Sequence, residues 1–175
     1  MKDMTLKPRQ PAPPLEFPLL DGGIWRLSER TPPSFQMIVV YRGLHCPWCK
    51  AHLAKLDGML PEFTRRGIDV VATSMDVRER VETARTEWAI PNLSLGYDLP
   101  LAAALDWDLF ISTAVREAEP AEFAEPGLFI TKADGTLFYV SIGNAPFGRP
   151  SFDEVLRGVD FAVEHKRPAR GEAYL

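Results

Sequence analysis

Cysteine is scarce: the chain of 175 residues has two, both at one place. A disulfide framework of the secreted kind needs more, so the pair suits a reducing compartment, and the cytoplasm is the expected location. No apolar run approaches the roughly 18 residues that span a bilayer. The first ten residues hold two lysines and an arginine but no apolar segment, which is not the pattern of a secretory leader. Positive charge is not in excess either. A net charge of −4 gives no electrostatic case for nucleic acid or an anionic membrane surface. There is no internal repeat and no low-complexity tract. What is present is ordinary, with 46% hydrophobic and 25% charged residues. The length suits one domain with a substantial core.

Five prolines between positions 8 and 18 rule out a helix there and predict an extended surface arm. The expected division is an arm over 1–16 and a single domain over 17–175. Residues 17–27 read as a β-hairpin, because Asp21-Gly22-Gly23 is turn chemistry between apolar flanks. Residues 35–41 form an almost unbroken β-branched and aromatic run, the mark of a central strand covered on both faces. From Pro47 to about Arg66, Leu53, Leu56, Leu60 and Phe63 recur at helical spacing. Pro61 is expected to kink or end the first part of that helix, and Gly67 to stop it.

Residues 68–72 read as the next strand. Asp76 is the expected cap of a helix over 77–88 with Val81, Ala84 and Trp88 inward. A short strand at 93–97 and a short helix at 101–105 follow. Residues 127–130 and 137–142 flank Asp134-Gly135 as a second hairpin. Ser151 and Glu154 form a capping box before Val155, Val159, Phe161 and Ala162. The element order predicts an α/β fold, with a mostly parallel sheet, an antiparallel hairpin at one edge, and helices on both faces.

Both cysteines fall in Cys46-Pro47-Trp48-Cys49, between the strand at 35–41 and the helix that follows. A strand that delivers C-x-x-C to a helix start is the context of a redox dithiol. The first cysteine faces the positive helix end and its unpaired N–H groups, which lowers its pKa, so Cys46 is the expected nucleophile. Cys49, one turn inside, is expected to be more buried and to resolve. Pro47 suits the first helical position and stiffens the loop.

Three other readings of the pair are weaker. Chance burial ignores the strand-to-helix placement. A zinc site with His45 or His52 needs four ligands and no second cysteine pair exists. A structural disulfide does not suit the cytosol. No cofactor and no metal is therefore expected. His45 and Arg42 are candidates for positive charge beside the Cys46 thiolate. Trp48, on a tight exposed turn, is a candidate docking surface for a partner, whereas Trp25, Trp88 and Trp107 suit core or rim packing.

Taken together, these segments resemble the thioredoxin-like superfamily, in its peroxiredoxin-like branch, the AhpC/TSA family. The resemblance rests on the 17–27 hairpin, Tyr41-Arg42-Gly43 with Cys46-Pro47, Ser74-Met75-Asp76, Tyr97-Asp98, and Gly127-Leu128-Phe129-Ile130 before Asp134-Gly135. It implies a thioredoxin-like fold, with a central mixed sheet flanked by helices and an N-terminal hairpin extension. Two positions depart from the family. Gly43 stands where peroxiredoxins carry Thr or Ser, and Pro126 where they carry arginine, both groups that hold and polarise a peroxide. A proline there resembles the cis-proline loop of thioredoxins, and Pro126 joins the candidate site on that ground. Val40 occupies the place of the thioredoxins' buried acid.

The favoured function is thiol–disulfide oxidoreduction, with Cys46 and Cys49 cycling between dithiol and disulfide. The alternative is an atypical thiol peroxidase, with Cys46 peroxidatic and Arg42 in place of the missing arginine. A third reading is a non-enzymatic redox sensor that gates a surface around Trp48. Expected partners are a protein or small-molecule disulfide or a hydroperoxide, a thiol electron donor, and a second copy of the chain as a homodimer, with no nucleic acid and no membrane. The segment 108–125 is an insert that could cover the site or a dimer edge.

Overall fold

The computed structural model describes residues 6–173. Its central sheet has four strands in the order β4-β3-β7-β8, namely Ile68–Thr73, Phe35–Val40, Gly127–Lys132 and Leu137–Ile142. Only β3 and β4 run parallel; β3–β7 and β7–β8 are antiparallel. The sheet is therefore mixed, as the family resemblance implies, rather than mostly parallel as the element order suggested. A run of strands and helices does not report strand direction, and β7 returns beside β3 from the same end of the sheet.

All six residues of β3 are buried, and their alternation builds two cores. Met37 and Val39 face α1 (Pro47–Arg65), α2 (Arg78–Glu87) and α4 (Phe152–Glu164). Ile38 and Val40 face the hairpin β1–β2 (Glu16–Pro18 and Ile24–Arg26), α3 (Leu101–Asp106) and β6 (Glu122–Ala124). A period of two along one buried strand is what lets a single sheet close two layers. Trp25, Trp88 and Trp107 are all buried.

The arm reaches the sheet. Arg9 N–H donates to Leu137 O, Leu137 N–H to Gln10 O, and Pro11 bridges Thr136. The arm thus lies along the open edge of β8, where it satisfies strand groups that would otherwise be bare. The first part of the predicted arm, 1–5, lies outside the described residues.

Several local expectations need correction. Pro61 does not end α1, which continues to Arg65. Pro61 removes only the N–H that would bond the Asp57 carbonyl one turn back, and the helix continues past it. Asp76 does not cap α2: Val77 stands at the cap, and the Asp76 carboxylate instead accepts from Leu44 N–H at 2.7 Å and pairs with Arg80 at 2.8 Å. The 93–97 segment makes only single bridges, Leu95 to Ala72 and Gly96 to Leu19. In α4, Phe152, Val155, Leu156 and Val159 point inward while Phe161 is exposed, so the inner face starts one turn earlier than read. Ser151 Oγ does accept from Glu154 N–H at 3.2 Å. The insert contains a small hairpin, β5 (Ile111–Thr113) with β6. No helix among the described residues is long and apolar enough to cross a membrane.

Candidate active site

β3 ends at Val40, and the loop after it turns sharply before α1 begins. Gly43 makes the turn with φ +137°, and a Cβ there would sit 2.7 Å from Asp76 Oδ2. A side chain at this position is therefore sterically closed off, since Asp76 occupies the space. The same carboxylate holds the loop through Leu44 N–H. Cys46 N–H donates to Gly43 O at 3.1 Å, completing the turn.

Cys46 is the N-cap of α1 and Pro47 opens the helix. Cys46 Sγ accepts from Cys49 N–H at 3.2 Å, one of the donors that every helix start leaves unpaired. Both thiols are free, and both have 0% exposure, so Cys49 is no more buried than Cys46 by surface area. Their chemistry diverges nonetheless. The Cys46 pKa is lowered to about 6, because the Cys49 thiol donates to it, helped by the Cys49 N–H and by Arg42 and Arg149, against the opposing effect of burial. Cys49 is pushed well up, by burial first and then by the hydrogen bond its thiol donates to Cys46, against the nearby Arg149 charge. The thiolate sits on Cys46 and the proton on Cys49.

Arg42 reaches the site from the loop. Its Nε lies 3.0 Å from Glu125 Oε2, as an ion pair without an aligned hydrogen bond, and its guanidinium covers Phe123 at 4.9 Å. Glu125 is buried and also accepts from Ser112 Oγ at 2.7 Å. Phe123 and Glu125 belong to the end of the 108–125 insert, which thus supports Arg42 from beneath. His45 packs edge-on against Phe123, 4.7 Å between ring centres, and both its ring nitrogens are buried without partners. Burial and the nearby Arg42 charge hold His45 below its usual pKa. It is neutral at pH 7 and does not supply the positive charge expected of it.

Arg149 was not singled out from the sequence. It sits in the connection between β8 and α4, and its Nη2 lies 2.8 Å from Cys49 Sγ and 3.8 Å from Cys46 Sγ. One hundred residues separate it from Cys49, and no local pattern links them. The nearest sequence signal was the Ser151 cap two residues on, which fixes where α4 starts and hence where Arg149 stands. A cavity of about 40 Å3 adjoins Arg149 and is lined also by Val40, His52, Pro126 and Phe147. Pro126 is trans, as is every peptide bond among the described residues, so the likeness to a cis-proline loop does not hold. His52 Nε2 contacts Pro150 O at 3.3 Å, and burial lowers its pKa to about 4.

At the rim, Trp48 is 57% exposed and Phe147 63% exposed, with ring centres 6.1 Å apart. No group of three or more potential metal-binding side chains occurs among the described residues.

The model of the AhpC/TSA family matches residues 8–140, more than half of the sequence. The chain belongs to the AhpC/TSA family. A 1-Cys peroxiredoxin of Onchocerca volvulus is 31% identical over 131 residues, covering 65% of this chain and 54% of that one. The chain thus spans about half the length of that relative. Among solved structures, a cysteine-to-serine mutant of peroxiredoxin 6 from Arenicola marina superposes with a TM-score of 0.76 at 18% identity, covering 96% of this chain and 80% of that one. AhpC of Mycobacterium tuberculosis gives 0.72 at 16% identity, over 93% and 95%. The reduced 2-Cys peroxiredoxin of Plasmodium vivax gives 0.71 at 18% identity, over 91% and 98%. These likenesses show the thioredoxin-like fold.

Proposed function

We propose that this AhpC/TSA-family chain is a thiol-dependent oxidoreductase, in which Cys46 attacks and Cys49 resolves within the same chain, with a disulfide as the favoured substrate class. One observation carries the reading: the two sulfurs share a single guanidinium, with the charge on Cys46 and the proton on Cys49. A thiolate near pKa 6 is available at neutral pH and is also a good leaving group, which suits both halves of an exchange cycle. Cys46–S⁻ attacks one sulfur of a substrate disulfide, and the other leaves as a thiolate. Cys49 then displaces the bound half, and an external thiol donor restores the dithiol. Gly43 and Pro126 favour this reading, because neither can help hold a peroxide. Full burial of both sulfurs means that the Trp48–Phe147 rim or the 143–150 segment must shift for substrate to reach Cys46.

Hydroperoxide reduction is the second reading. It is favoured by Arg42 and Arg149 beside Cys46, two guanidinium groups that can polarise an O–O bond, and by the peroxiredoxin names of the relatives. The two readings part experimentally. Insulin-disulfide reduction well above a Cys46→Ser control supports exchange, and no turnover above that control removes it. Stopped-flow oxidation of the reduced protein by hydrogen peroxide, faster than an unassisted low-pKa thiol, moves the assignment to the second reading.

A further inference from the structure

Resolution by Cys49 poses a problem that the fold must solve. Only a thiolate attacks a disulfide, yet Cys49 is buried and burial raises its pKa. Val40, on the strand beside the helix start, carries no acid to take the proton. Arg149 is the charged group placed for the task. Its Nη2 is 2.8 Å from Cys49 Sγ, a full ångström closer than to Cys46 Sγ. Its Nε and Nη1 are buried without partners, so no carboxylate competes for the charge. The arginine is held on both sides. Gly143 N–H donates to Pro126 O at 3.0 Å, His52 contacts Pro150 O, and Ser151 caps α4.

We propose that Arg149 is a catalytic residue that transfers its electrostatic support from Cys46 to Cys49 during each turnover, and so makes the buried Cys49 a competent nucleophile. This rests on the dithiol reading of Cys46 and Cys49. In the resting dithiol the guanidinium is shared, and Cys46 holds the negative charge. Once Cys46 Sγ is bonded to a substrate sulfur it is neutral, and Cys49 becomes the guanidinium's remaining partner. Cys49 then loses its proton to water. Its electron pair forms the S–S bond to Cys46 Sγ, and the bond from Cys46 to the substrate sulfur breaks, with that electron pair leaving on the substrate thiolate. The dithiol is oxidised to a disulfide and the substrate disulfide is reduced to two thiols.

Three other groups act on Cys49, and His52 acts on Arg149. Arg42 favours its ionised form, while the Cys46 thiolate opposes it. Tyr41 is buried with its pKa raised, and His52 is lowered to about 4, so both are neutral near pH 7. Arg42 stays in place in every variant below, and Cys46 is neutralised by substitution, which isolates Arg149.

The test uses Cys46→Ser, which leaves an uncharged group at position 46 as a mixed disulfide does, and follows Cys49 thiolate absorbance near 240 nm against pH. Adding Arg149→Met is expected to raise the Cys49 midpoint by a unit or more, and Arg149→Lys to recover most of that shift. In a second measurement, Cys46 is loaded with 5-thio-2-nitrobenzoate and its release by Cys49 is timed in a single turnover. Release is expected to slow about tenfold at pH 7 in Arg149→Met, with the gap closing as pH rises. An unmoved midpoint overturns the proposal, and so does unchanged release despite a shifted midpoint. Arg149→Gln, which also removes the charge, supplies the same readings if Arg149→Met does not fold. Neither measurement needs insulin or peroxide turnover, so a failed substrate assignment leaves this test intact.

Discussion

The closed space above Gly43 can be tested by adding one methyl group. Gly43 has φ +137°, a region that costs a residue with a Cβ about 1–3 kcal/mol. The added Cβ would also stand 2.7 Å from Asp76 Oδ2 and 3.0 Å from Oδ1. The carboxylate has to move, and in moving it strains its bonds from Leu44 N–H at 2.7 Å and Arg80 Nε at 2.8 Å. Losing one hydrogen bond to a charged group costs about 1.5–3 kcal/mol. Gly43→Ala is therefore expected to destabilise by about 3–6 kcal/mol, a large part of the ~5–15 kcal/mol that holds a typical domain.

The control is Gly22→Ala, because Gly22 has φ +101° with nothing within 4 Å of the added atom. It bears the strain without the clash, about 1–3 kcal/mol. Urea unfolding with matched m-values measures both variants. The expected gap is about 2 kcal/mol, or very roughly 4–8 °C in melting temperature for a chain of this size. Equal costs for the two variants would refute the claim that Asp76 is what shuts this position to a hydroxyl side chain.

Other outcomes follow from the same geometry. The sulfur absorbance of the reduced protein should titrate first with a midpoint near 6, the thiolate growing as pH rises, and Cys49→Ala should raise that midpoint because it removes the largest stabilising donor. About nine-tenths of Cys46 is then thiolate at pH 7; a midpoint near 9 would contradict the site electrostatics. Asp57 is buried and accepts from Asn92 N–H at 2.9 Å, Leu93 N–H at 2.7 Å and Asn92 Nδ2 at 3.1 Å. Asp57→Ala should cost about 2–4 kcal/mol in urea unfolding, and a loss below 1 kcal/mol would count against a role in pinning the 92–93 turn to α1. Trp48→Ala should change stability by under about 1 kcal/mol, since Trp48 is 57% exposed. The same change should raise KM for a protein disulfide while leaving a small disulfide unaffected, and equal effects on both would remove the docking role.

The sequence by itself determined the parts whose causes are local. A continuous apolar run makes β3, Pro47 after a cysteine opens α1, and Asp134-Gly135 turns β7 into β8, because each depends on residues within a few positions of one another. The paired cysteines and the lowered pKa of Cys46 were legible for the same reason, since a helix start acts on the residue that caps it. Strand direction, the failure of Pro61 to end α1 and the task of Asp76 were decided by packing between distant segments. So were the neutral state of His45, set by burial against Phe123, and the trans Pro126. Arg149 is the clearest case, since only the folded connection from β8 to α4 brings its charge to the sulfurs. Charge acts over a few ångströms of space and is indifferent to the hundred residues of chain between Cys49 and Arg149.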